Sequence, residues 1–127
     1  MTGKTPARGF TLIELLVVMT IIGVLLAIAV PRYFKSVEHA KETVLRHDLS
    51  VIRESIDKYY ADVGQYPDAL AGLVEKRYIR AVPVDPFTKT AESWLLVASE
   101  DPDHPGVRDI HSGSPENSLD GTPFVSW

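Results

Sequence analysis

"GFTLIELLVVMTIIGVLLAIAVPRY", residues 9–33, decides the fold, because it can exist in only a few environments. From Phe10 to Val30 the run holds 21 residues and a single charge, Glu14. As a helix it would rise roughly 32 Å, enough to cross a hydrocarbon core. A carboxylate inside such a run costs on the order of 2.5–3.5 kcal/mol on insertion scales, so Glu14 calls for a partner. Lys4 and Arg8 precede the run, which by the positive-inside bias keeps the N-terminus cytoplasmic and sends the rest outward.

Three readings compete for this segment. A secretory signal peptide fits the basic start and the small residues Ala27 and Ala29, but the run exceeds the roughly 7–15 residues of an h-region. It also contains Glu14, and Pro31 lies just past the supposed cut. A plain membrane anchor explains the length and leaves the carboxylate unexplained. The third reading is a resemblance: the stretch is similar, at nearly every position of the class-defining motif, to the N-terminus of type IV pilin-like proteins. That resemblance implies cutting between Gly9 and Phe10 by a prepilin peptidase on the cytoplasmic side, then N-methylation of Phe10. Glycine before the cut suits an extended peptide in a tight site. The new ammonium of Phe10, on the same subunit or on a neighbour, then becomes the partner of Glu14 in assembly.

Beyond Pro31 the pattern turns amphipathic. Val37, Ala40, Val44, Leu45, Leu49, Ile52, Ile56, Tyr59, Tyr60 and Val63 recur at spacings of three and four, one helical face over several turns. The opposite face carries Glu38, Lys41, Glu42, Arg46, Asp48, Arg53, Glu54, Asp57 and Lys58, and reads as solvated, without partners of its own. Gly64 stops the helix, which is expected over residues 10–62 with a bend at Pro31. "DALAGLVEKRYI" (68–79) predicts a second helix with Leu70, Leu73 and Val74 inward. Strands are expected at 93–99, 107–111 and 122–126, forming an antiparallel meander over the helix stripe, with Trp94, Phe124 and Trp127 filling the core. The fold class is α+β, a long N-terminal helix packed on a short helix and a small antiparallel sheet.

"GQYP", "GL", "YIRAVPVDPF" and "DIHSGS" resemble the G-type major pseudopilins of type II secretion systems, with Phe87 where a Trp is usual. The resemblance implies four parts: a cleaved leader (1–9), a transmembrane and filament-core half-helix (10–30), an amphipathic half (31–63) and a periplasmic cap (64–127). It implies a filament subunit of the bacterial inner membrane and periplasm whose partners are other copies of itself, minor pseudopilins, the peptidase and the inner-membrane assembly platform. A type IV pilus subunit, a minor pilin or a tip pseudopilin are the alternatives.

Such proteins commonly hold calcium in the C-terminal loop. Two readings stand for this loop: closure by turn hydrogen bonds and packing of Trp127 alone, or a calcium ion, which takes six to eight oxygens and for which Asp109, Ser112 and Asp120 are the candidate side chains. The absence of Cys leaves no disulfide for that loop. With a net charge of −4 and no basic patch, nucleic acid is not an expected partner. Asp109, His111 and Ser112 lie side by side, but strand neighbours point to opposite faces, so they do not make a triad and no enzyme is expected.

Overall fold

The computed structural model describes Gly3 and residues 9–127. Apart from Gly3 and Gly9, the expected leader lies outside the described residues. The chain divides into two compact units, Met1–Val37 and Glu38–Trp127.

Helix α1 runs Leu12–Val63, within two residues of the sequence expectation at its start and one at its end, and continues through Pro31. Within the first unit its side chains are exposed almost throughout, as in Leu16, Val24 and Ile28, and no part of its most apolar window is buried. The helix is long and apolar enough to cross a membrane. The hydroxyl of Thr20 donates to the carbonyl of Leu16 at 2.7 Å, so this polar group is satisfied by the helix itself. At the far end the Gly64 N–H reaches the Tyr60 carbonyl at 2.8 Å with φ of 81°, a left-handed conformation that ends the helix.

In the second unit α1 supplies Leu45, Leu49, Ile52 and Ile56 to the core, joined by Leu70, Leu73, Trp94, Val107, Ile110 and Phe124. Fully burying an aliphatic or aromatic side chain of this size contributes about 1.5–3 kcal/mol, so this cluster is the main source of cap stability. The apolar stripe is fully buried only in its middle, over residues 45–56: Ala40, Val44 and Val63 are exposed, while Tyr59 and Tyr60 are half-buried against Tyr78 and Tyr66. Helix α2 is shorter than expected, Leu70–Glu75. It closes when Tyr78 N–H bonds back to Leu73 O and Arg77 N–H to Val74 O, with Arg77 at φ of 62°.

Strands β1 (Leu95–Ala98) and β2 (Val107–His111) pair antiparallel, with a bulge between Val97 and Ala98. The expected third strand at 122–126 is instead a 3₁₀ turn, Phe124–Ser126, preceded by one isolated bridge between Asn117 and Pro123. Pro123 cannot donate to a ladder, and side-chain bonds among Ser118, Asp120 and Thr122 tighten the chain into a loop there.

Gly113 sits against the backbone of Ser93, where a Cβ would lie 1.9 Å from the carbonyl oxygen. Gly113→Ala should therefore force the two segments apart, with a loss of roughly 2–4 kcal/mol in chemical denaturation of the full chain in detergent.

Candidate functional site

The first site is the start of α1. Thr11 precedes the helix, and its hydroxyl accepts the backbone N–H of Glu14 at 3.1 Å. Thr11 and Glu14 thus stand at the N-cap and N3 positions of the T-x-x-E capping pattern. A free donor at this helix end would be costly in lipid, and Thr11 satisfies it locally. Phe10, Ile13, Glu14, Val17 and Val18 line an open groove of about 440 Å³. Among the described residues no ion pair includes Glu14. The carboxylate stands on an apolar groove beside Phe10. The capping role of Thr11 was legible in "FTLIE" and was missed, because the carboxylate dominated the reading.

The second region is the C-terminal loop, where the three expected calcium ligands have separate engagements. Asp109 Oδ1 accepts Arg53 Nε at 2.8 Å and also its neighbour's N–H, Ile110 N, at 2.8 Å. Ser112 is buried and donates to Asp85 Oδ2 at 2.6 Å. Asp120 Oδ1 accepts from the Ser118 hydroxyl, from Thr122 N–H at 3.0 Å and from Thr122 Oγ1 at 2.5 Å. These bonds hold the Asp120 carboxyl down at about 2, with the Ser118 hydroxyl the largest influence and the more distant Arg46 a small one. Among the described residues no three His, Asp or Glu side chains are grouped as a metal site, and no buried side-chain N or O lacks a partner. Of the loop's carboxylates, Asp109 is engaged by a guanidinium and Asp120 is wrapped by hydroxyl donors.

Asp109, His111 and Ser112 likewise serve structure. His111 Nδ1 lies 2.8 Å from the Trp127 carbonyl, while Asp109 and Ser112 take Arg53 and Asp85. They share no bond of the kind that links base and nucleophile.

Two residues outside the expected set organise this end of the molecule. Asp85, fully buried, accepts Phe87 N–H at 2.9 Å and Thr88 N–H at 3.3 Å through one oxygen and Ser112 through the other. The Pro-flanked "PVDPF" carried a turn signal for it. Asp48 feels it: burial, and secondarily Asp85, push the Asp48 carboxyl up, against the nearby charge of His47. Arg53, expected to be merely solvated, bonds Asp109, the Ile110 carbonyl at 2.9 Å and the Trp127 carbonyl. Glu42, from the same face, accepts Leu119 N–H at 2.6 Å. No sequence signal announced these contacts, which depend on where a distant loop returns.

Comparison with known proteins matches the segment that holds the first site. Residues 4–30 match the prokaryotic N-terminal methylation motif. The chain is 36% identical over 100 residues to type II secretion system core protein G of Pseudomonas aeruginosa, covering 66% of this chain and 70% of that one. It is 30% identical over 135 residues to the Escherichia coli K12 protein of the same name, covering 94% of this chain and 89% of that one. Fimbrial protein EcpC of Eikenella corrodens is 36% identical over 86 residues, 64% of this chain and 56% of that one. No solved structure gives a significant match.

Because the folded Asp120 carboxyl sits below its ordinary value of 3.8, its contribution is complete above that value and fades as the pH falls through about 2. The difference in thermal midpoint between the unaltered chain and Asp120→Asn should be largest above about pH 4 and shrink towards pH 2 in acid titration.

Proposed function

The chain belongs to the G-type pseudopilins of type II secretion systems, and from that premise we propose how its N-terminal helix builds a filament. As a member of that family it is a structural subunit of a pseudopilus. The observation that carries the mechanism is the start of α1: a helix without side-chain burial in its first unit, capped by Thr11, with Glu14 alone on an apolar groove.

A prepilin peptidase cuts between Gly9 and Phe10, and methylation of Phe10 follows. The chain then waits in the inner membrane with its N-terminus cytoplasmic and residues 64–127 as a periplasmic cap. Two environments suit a surface apolar on all sides, lipid first and neighbouring helices afterwards. On assembly Glu14 of one subunit meets the Phe10 ammonium of its neighbour. In a medium with little water such a pair is worth more than at a protein surface, and it fixes the axial step between subunits. An assembly platform in the inner membrane feeds subunits to the growing end, minor pseudopilins share the filament, and extension moves exported proteins outward. The chain's role is polymerisation, with no catalytic step assigned to any residue. The likeness to a fimbrial protein supports a second reading, a type IV pilus subunit, which surface filaments together with unimpaired protein export would favour.

Gly9→Val should leave the precursor uncut in the membrane fraction, seen as a larger band on immunoblots; normal processing removes the peptidase assignment. Glu14→Ala should be processed and inserted at normal levels yet yield no filaments when overproduced and viewed by electron microscopy.

A further inference from the structure

We propose that the C-terminal loop of this chain is closed by its own side chains, with Arg53 of α1 as the clasp, and takes no cation to close. A loop without a disulfide needs another cross-link to repay the entropy of its ordering. A divalent ion would do this by gathering carboxylates and carbonyls around one positive charge. In this chain the positive charge is a guanidinium.

Arg53 reaches three acceptors that are far from it in sequence: the Asp109 carboxylate, the Ile110 carbonyl and the Trp127 carbonyl. Its fork is planar and always charged, so it can neutralise a carboxylate and bond two carbonyls at once, which a lysine cannot do in one geometry. Glu42, three helical turns earlier on α1, accepts the Leu119 N–H. Between them Arg46 lies over the Trp127 ring at 4.5 Å. Residues 42, 46 and 53 fall on one helix face at spacings of four and seven, so a single stripe of α1 grips the loop from Leu119 to Trp127.

The loop also closes on itself. Trp127 Nε1 donates to Thr122 Oγ1 at 3.1 Å, and Ser118 and Thr122 donate to Asp120. Asp109 and Asp120, two of the loop's three carboxylates, are already served by donors, and the third, Glu116, is exposed. The inference rests on these contacts and not on the filament reading, so either can fail alone.

The test is thermal unfolding of the full chain in detergent, followed by tryptophan fluorescence, with excess calcium chloride or with chelator. The unaltered chain should melt at the same midpoint in both. Arg53→Gln should lower that midpoint by roughly 5 °C or more, equally in both buffers, and Arg53→Lys should recover only part of the loss. Asp120→Asn should also lower it equally in both. A calcium-dependent rise of roughly 10 °C in the unaltered chain, abolished by Asp120→Asn, would overturn the proposal. So would an Arg53→Gln chain with an unchanged midpoint. If Arg53→Gln does not fold, the calcium comparison on the unaltered chain decides alone.

Discussion

A helix that is apolar on every side has no stable place in water, and the first half of α1 is such a helix. Its side chains are exposed within their own unit, so the chain cannot satisfy them alone. Lipid meets that demand for a single subunit, and identical helices meet it in a filament. The same constraint makes one polar side chain conspicuous: Glu14 is tolerable in such surroundings only opposite a cation. On the reading proposed above, removing residues 1–9 supplies that cation at Phe10 and would couple processing to assembly through electrostatics.

The second half of α1 faces a different problem, and the cap solves it. Leu45, Leu49, Ile52 and Ile56 are buried by α2, the β1–β2 hairpin and the turn at Phe124. Phe124 stacks on Phe87 at 4.2 Å between ring centres and meets Trp127 edge-on at 4.9 Å, so the C-terminal loop contributes to the core as well as to the surface. Where the cap ends, the stripe is left bare, as at Ala40 and Val44. Polar residues of α1 then tie down the same loop from outside through Glu42, Arg46 and Arg53.

Much of this was legible in the residues, for physical reasons that also explain the misses. Helix α1 announced itself because its period persists for over fifty residues and ends at a glycine that takes a positive φ. β2 falls on 107–111 as expected, although its buried residues Val107 and Ile110 stand three apart, an odd spacing that goes with the register shift opposite Val97 and Ala98. The segment 122–126 has the composition of a strand, yet Pro123 and the hydroxyl-rich turn before it favour a 3₁₀ conformation that still buries Phe124. At the N-terminus the expectations for Gly9, Phe10 and Glu14 rest on resemblance to pilin-like N-termini, a motif held in one short segment, 4–30, that the methylation-motif match also covers. The roles of Arg53 and Asp85 depend on contacts across 56 and 27 residues, which no local pattern encodes.

The central claim is that subunits join through their N-terminal helices with Glu14 facing the amine of a neighbour. Electron cryo-microscopy of filaments formed by the processed chain tests it most directly. The account predicts α1 bundled along the axis, methylated Phe10 as the first residue, and the Glu14 carboxylate within salt-bridge distance of the nitrogen of Phe10 in an adjacent subunit. Filaments held by cap-to-cap contacts, with Glu14 facing no cation, would contradict it.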